Sequence, residues 1–213
     1  MTSVWISLPR VNVYASFAFC VPFTVQHIPN ITQILAVSAI DTLQKFEVND
    51  LYLKWPNDIV MNNRKLGGIL AQSTTGGGVP SGCLAIVAGI GLNINTTADD
   101  LQVIQRPIWP ATSVYVETGK QLHVAAVRQL LIETFTNNLS LFLQHGYQQF
   151  VPRINTLLAL RGQQVRMSDG EVEWEGVQQG VTNDGFLELS LSDGTTKTFV
   201  SAEHIHDIRP VRQ

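Results

Sequence analysis

Lys65-Leu66-Gly67-Gly68 sets a lysine two residues ahead of a glycine pair, one cation beside backbone that carries no side chains. A flat ligand can approach such backbone closely, and the ammonium suits a carboxylate or an acyl phosphate. An isolated motif of this kind is equally the pattern of a solvated turn and a β-bulge. Just ahead lies Lys54-Trp55-Pro56-Asn57-Asp58. Pro56 restricts itself and Trp55, so Asn57 and Asp58 project from a rigid turn, where an amide and a carboxylate can meet a nucleotide, a metal or an incoming amine. The plain alternative is ordinary turn chemistry, with Lys54 covering the edge of Trp55. A third run, Gly89-Ile90-Gly91-Leu92-Asn93, offers backbone N–H groups to a phosphate and the Asn93 amide to a nucleotide. A tight strand end explains such glycines as readily. No third glycine or helix start follows at the spacing of a dinucleotide fingerprint.

The flanking pattern supplies the elements that must hold these groups. Leu51 to Trp55, Asp58 to Met61 and Leu66 to Gln72 read as successive strands. The last two are joined by Asn62-Asn63-Arg64, whose asparagines tolerate positive φ. An alternating strand is expected from Asn12 to Cys20, and a helix from Ile31 to Phe46 with Asn30 as its cap. Thr74 to Gly82 reads as an exposed, mobile connection. Cys83 to Asn95 reads as a central strand buried on both faces, with a polar tip bordering the site. Apolar residues from Val124 to Leu143 recur every three or four positions and predict one long amphipathic helix over Leu122 to Phe150. Composition changes near Arg161. Beyond it, short strand-like runs are punctuated by Asp169-Gly170, Asp184-Gly185 and Asp193-Gly194, predicting a small β-barrel of about five strands.

The chain has 213 residues, 45% of them hydrophobic and 15% charged, which suits one medium domain plus a small module. Its net charge is −3, with basic residues scattered, so the clustered positive surface that nucleic-acid binding requires is not expected. No apolar stretch approaches the ~18 residues of a membrane span, and no secretory leader is recognised, which places the protein in the cytoplasm. Cys20 and Cys83 lie in apolar runs without metal-ligand partners and are expected to be buried free thiols.

Taken together, KWPNDI, RKLGGIL, VAGIGLNIN, the run Pro110 to Ser113 and the terminal β module resemble the biotin protein ligase family over nearly the whole chain. The resemblance implies an α+β fold: a mixed β-sheet backed by helices, related to the class II aminoacyl-tRNA synthetases, followed by an SH3-like β-barrel. A catalytic domain over 1–160 and an SH3-like domain over 161–213 are expected. The implied reaction uses ATP and Mg2+ to convert biotin into biotinyl-5′-AMP, then transfers biotin to a lysine of a biotin carboxyl carrier protein, a subunit of acetyl-CoA carboxylase. By that resemblance Lys65 contacts biotin and the acyl phosphate, and Asp58 receives or orients the carrier lysine. Gly67, Gly68 and Ile69 lie along the biotin rings; Asn57 and Asn93 line the nucleotide site; Trp5 stacks near adenine. No protein side chains are expected to form a metal site, and pairing of two copies through a sheet edge follows by analogy. The family's GRGRxGR loop, which folds over the adenylate, is expected upstream of Trp5 and does not occur here, so the sequence reads as an incomplete version of a longer product. An N-terminal helix-turn-helix, and with it a repressor role, is not expected. Two other readings remain: a non-catalytic biotin- or carrier-binding relative, and a lipoate or octanoyl ligase or transferase on the related fold.

Overall fold

The computed structural model describes residues 10–22, 28–102, 109–168, 172–200 and 207–210. Trp5 and the Asp169-Gly170 pair lie outside them. The chain runs β1 (Val13–Pro22), α1 (Ile28–Lys45), β2 (Leu51–Lys54), β3 (Asp58–Met61), β4 (Arg64–Thr74) and β5 (Cys83–Leu92). It continues through α2 (Ala98–Leu101), α3 (Val114–Thr118), α4 (Val124–His145) and, after a short 3-10 turn, α5 (Val151–Leu157). It closes with β6 (Gln164–Ser168), β7 (Glu173–Val181), β8 (Leu187–Leu191), β9 (Thr196–Phe199) and β10 (Asp207–Pro210).

Two five-stranded sheets result, ordered β1-β5-β4-β3-β2 and β10-β6-β7-β8-β9. Among the described residues every ladder is antiparallel, and parallel pairing is confined to two isolated bridges, Leu53 with Leu158 and Lys65 with Ala111. Asn62 and Asn63 take φ of 50° and 57°, the left-handed pair that closes a two-residue hairpin between β3 and β4. Asp184-Gly185 and Asp193-Gly194 form the turns on either side of β8, as their sequence predicts.

Helix α1 is buried on nearly all sides: Ile34, Leu35, Ala39, Ile40 and Leu43 are completely covered, and so are Gln33, Ser38 and Thr42. A helix enclosed all round must lie between layers. The first sheet covers it on one side, and α4 packs on it from the other, with Asn138 Nδ2 donating to Ser38 Oγ at 2.9 Å. Helix α4 also reaches β1, where the Phe135 ring meets that of Phe17 at 4.5 Å, tilted by 59°.

Four expectations change. Helix α1 starts at Ile28, so Asn30 is not its cap but a buried first-turn residue whose Oδ1 has no hydrogen-bond partner. The long helix stops at His145, because Gly146 takes φ 78° and turns the chain before α5. Strand β5 lies inside the sheet, between β1 and β4 rather than at its centre, and is covered on one face only: Ile86, Ala88 and Ile90 point to the helices, whereas Val87 is 49% exposed. The helices back a single face of this sheet, and an apolar run carries no record of which side is covered. Cys20 is exposed and Cys83 half-buried, because the register places both on the face of the sheet that the helices leave uncovered.

No helix among the described residues is long and apolar enough to cross a membrane.

The two sheets are joined through α5 and the turn that follows it, where Ala159 N donates to Leu53 O of β2 at 2.8 Å. Asn155 Oδ1 accepts from Val181 N at 2.8 Å, Gln178 Nε2 donates to Ala159 O at 2.6 Å, and Arg161 Nε donates to Gln179 O at 2.8 Å.

Candidate active site

The face of the first sheet that the helices leave open carries the site, and strand register builds it. Tyr14 of β1 pairs with Gly91, Gly91 with Gly68, Gly68 with Asp58, and Asp58 with Lys54. Directly paired residues project to the same face, so these five form one row across all five strands. The next row runs Ser16, Gly89, Leu70. Glycines in the middle of both rows leave a floor without side chains between taller walls. The result is a cleft of about 360 Å3 lined by Tyr14, Ser16, Gly68, Leu70, Gly89 and Gly91, within the range of small-molecule sites.

Lys65 reaches this row from one turn away. The register slips between Ile59 and Val60, leaving Leu66 as the extra residue, so Lys65 pairs with Val60 while Gly67 pairs with Ile59. That bulge re-aims the lysine. Its ammonium forms an ion pair with Asp58 Oδ1 and lies over Gly68, where an added Cβ would sit 3.1 Å from both Nζ and Asp58 Oδ1. Lys54 approaches the other carboxylate oxygen at 3.9 Å, its ammonium 5.5 Å from the ring centre of Trp109. These three charged side chains are only 15–16% exposed, and they leave one net positive charge at the end of the glycine floor. An anion placed there meets a cation in partly desolvated surroundings, where attraction exceeds that in water.

The backbone around Lys65 is fixed on both sides. Strand β5 ends at Leu92 opposite Gly67, and Pro110 to Thr112 takes over its place in the sheet. Lys65 N donates to Pro110 O and Thr112 N to Lys65 O, each at 2.8 Å. Asn93 splices the junction: its N donates to Leu66 O and its Nδ2 to Thr112 O, both at 2.9 Å. Asn57 is likewise used structurally, with Nδ2 donating to Ile69 O at 2.7 Å while Ile69 N donates to Asn57 O at 2.9 Å. Gly67 is required by space, since a Cβ there would come within 2.5 Å of Gly91 O.

Of the residues singled out from sequence, Lys65, Asp58, Gly67 and Gly68 come together. Asn57 and Ile69 brace one edge of that group, and Asn93 stands at the strand junction. Ile69 turns its side chain into the core, 3% exposed. Trp5 lies outside the described residues. The sequence reading missed Trp109 beneath Lys54, Tyr14 and Ser16 on the cleft wall, and the support of the β3–β4 turn by Glu117. Glu117 accepts from Asn62 Nδ2 at 2.8 Å and from Thr112 Oγ1, with Arg64 Nη1 3.5 Å away. Burial pushes the Glu117 carboxyl upward, but the hydrogen bonds from Asn62 and Thr112 and the charge of Arg64 prevail, holding it below the ordinary glutamate value. No signal local to KWPND or KLGG points to these partners.

Among the described residues no group of three or more His, Cys, Asp or Glu could hold a metal ion. Asp58, the carboxylate in the glycine row, already faces two ammonium groups. The described residues therefore offer no all-protein cage, and Mg2+, which binds through one or two carboxylates and substrate phosphates, would draw its other ligands from the nucleotide.

Together these features define an α+β domain with a cationic, glycine-floored cleft and a β module at its C-terminal end. The model of the biotin/lipoate A/B protein ligase family matches residues 1–93, and that of the biotin protein ligase C-terminal domain matches residues 161–206. The chain is 26% identical over 199 residues to the bifunctional ligase/repressor BirA of Escherichia coli, which covers 93% of this chain and 60% of the relative. Over 142 residues it is 31% identical to the biotin–[acetyl-CoA-carboxylase] ligase of Paracoccus denitrificans, covering 65% of this chain and 56% of the relative. A solved biotin protein ligase from Aquifex aeolicus, in complex with biotin and ATP, superposes with a TM-score of 0.75 at 23% identity, covering 94% of this chain and 79% of that one. The chain belongs to the biotin protein ligase family, and it spans about 60% of the length of the BirA relatives it matches.

Proposed function

We propose that this chain carries the chemistry of ATP-dependent attachment of biotin to a lysine of a biotin carboxyl carrier protein, through biotinyl-5′-AMP. One observation carries the reading: the Lys65 ammonium lies over Gly68 at the end of a glycine-floored cleft, paired with Asp58. Family membership and the name of the Paracoccus relative, a biotin ligase, point the same way.

In the first step a biotin carboxylate oxygen bonds to the α-phosphorus of ATP, and the bond from that phosphorus to the bridging oxygen of the β-phosphate breaks, releasing pyrophosphate. Two anions must approach each other. Lys65 and Lys54 offset that repulsion where charge builds, a role that preorganised donors fill in many enzymes. The floor of Gly68, Gly89 and Gly91 takes the flat ring system against backbone, with Tyr14 and Leu70 as walls. In the second step the carrier lysine, as a neutral amine, attacks the acyl carbon; the bond to the phosphate oxygen breaks, AMP leaves, and the amine sheds a proton. Asp58, at the site with its oxygens toward the two lysines, is the group that orients the incoming amine and takes that proton. Asn57 and Asn93 line the nucleotide end, and Trp5 is assigned the adenine contact. A catalytic domain over 1–160 and an SH3-like module over 161–213 divide the labour. Mg2+ carried on the nucleotide phosphates would neutralise part of their charge.

The test measures biotin-dependent pyrophosphate release with ATP, then mass-detected transfer of biotin, with lipoate in parallel, to a biotin carboxyl carrier domain. Biotin-specific release and transfer support the proposal. Biotin binding by calorimetry without any pyrophosphate would refute it in favour of a binding protein, and preference for lipoate would refute the substrate.

A further inference from the structure

The turn between β7 and β8 of the C-terminal sheet enters the first domain directly beneath the site. Gly185 O accepts two hydrogen bonds there, from Gln33 Nε2 and from Trp55 Nε1, each at 3.0 Å. Gln33 and Trp55 are 0% and 1% exposed, so both donors would be orphaned in the interior without this carbonyl. The partner groups are set in turn: Tyr147 Oη donates to Gln33 Oε1 at 2.5 Å, which aims the Gln33 amide nitrogen at Gly185. Burial pushes the Tyr147 phenol well above its ordinary value, so it stays protonated as that donor. Gly185 itself has φ +82°, and an added Cβ would sit 2.7 Å from Asn30 Oδ1 and 3.0 Å from Tyr147 Oη. Both conformation and space require glycine at this turn.

Trp55 immediately precedes Pro56, Asn57 and Asp58. The loop they form is closed by the pairing of Lys54 with Asp58 and is further held by Thr32 Oγ1, 3.5 Å from Pro56 O, and by Asn57, which clasps Ile69 from above. We infer that Gly185, acting through Trp55, is a positioning residue for the Asp58–Lys65 pair, so that the C-terminal module sets the geometry of the site through a backbone carbonyl. This deepens the proposed function and rests on it, because the consequence is for adenylate formation. A shift of Trp55 moves Asp58, and Asp58 holds the ammonium that the chemistry uses.

Two substitutions in the full chain isolate the link. Trp55→Phe keeps an aromatic ring but removes the donor; Gly185→Ala drives the turn away from Asn30 and Tyr147. Gly194→Ala is the control: that residue lies in the next turn of the same sheet with φ +81°, and nothing is within 4 Å of its Cβ position. It therefore carries the same backbone strain without the contact. The readouts are amide hydrogen exchange at Ile69, whose N–H spans the site turn to Asn57 O, exchange in β8 as the measure of general loosening, and the rate of biotin-dependent pyrophosphate release. Trp55→Phe and Gly185→Ala should each speed Ile69 exchange about tenfold relative to β8. They should lower kcat for pyrophosphate release at least tenfold with little change in KM for biotin, while Gly194→Ala leaves both as in the unsubstituted chain. Unchanged Ile69 exchange in both variants, or equal acceleration in β8, overturns the inference. If the unsubstituted chain releases no pyrophosphate the proposed function fails, and the exchange comparison still decides whether the module positions the turn.

Discussion

Gly67→Ala and Gly68→Ala place the same methyl group on adjacent residues of one strand, yet the structure assigns them opposite consequences. Neither glycine has positive φ, so no backbone strain enters. At Gly67 the new Cβ would lie 2.5 Å from Gly91 O and 2.7 Å from Leu92 Cδ2. The first is sheet backbone and cannot yield without opening the β4–β5 ladder, so overpacking of about 1–3 kcal/mol is expected. For a domain of this size such a loss lowers Tm by roughly 3–10 °C. At Gly68 the Cβ meets Asp58 Oδ1 and Lys65 Nζ at 3.1 Å and Lys65 Cε at 3.2 Å. Those are side-chain ends and can move by a few tenths of an ångström. Replacing glycine by alanine also reduces unfolded-chain entropy, contributing about 0.4–1 kcal/mol in the stabilising direction. Gly68→Ala should therefore hold Tm within a few degrees of the unsubstituted chain while moving the ammonium off the glycine floor. Displacement of a reacting group by about 1 Å can reduce rates about 100-fold, so a shift of a few tenths of an ångström should lower pyrophosphate release about 4- to 10-fold. Thermal unfolding and a pyrophosphate-release assay on both variants decide the matter. Full activity in Gly68→Ala, or a loss of stability there as large as in Gly67→Ala, would refute the assignment of Gly68 as the bed of Lys65.

Lys65→Ala should lower adenylate formation about 100- to 1,000-fold, the scale for removal of one preorganised donor, with little change in Tm; a normal rate of pyrophosphate release would count against it. Asp58→Asn leaves Lys54 and Lys65 without their counter-charge, and transfer to the carrier should suffer more than adenylation; equal losses in the two half-reactions would remove Asp58 from the second step. Glu117 has a depressed carboxyl, so its stabilising contribution is present above the ordinary value of 4.5 and is lost as pH falls through the lower folded-state value. The Tm of the unsubstituted chain should therefore fall more steeply below about pH 4.5 than that of Glu117→Gln, and parallel curves would show that Glu117 is not the group responsible.

What the sequence reveals and what it hides separate along a physical line. Asn62-Asn63, the alternating run of β1 and the glycine-marked turns of the second sheet act through a few adjacent residues, so local chemistry betrays them. The lysine and the glycine pair show themselves for the same reason. The row Tyr14, Gly91, Gly68, Asp58, Lys54 does not, because it exists only once five strands from three parts of the chain have adopted a register. The same holds for Glu117, 53 residues beyond Arg64 in number but beside it in space, and for Gly185, 130 residues from the indole it receives. The strand reading of Cys83 to Asn95 errs from a related cause: hydrophobicity reports that β5 is flanked by strands on both sides, while burial of one face depends on where α1 and α4 pack. The motif residues thus account for charge and for bare backbone, whereas the precision of their placement comes from distant groups, Thr112 and Pro110 beside Lys65 and the Gly185 carbonyl under Trp55. A site whose reactive groups are local and whose supports are remote should lose rate more readily than it loses stability when a support is removed. The Gly185 and Gly68 variants probe that difference from opposite sides of the sheet.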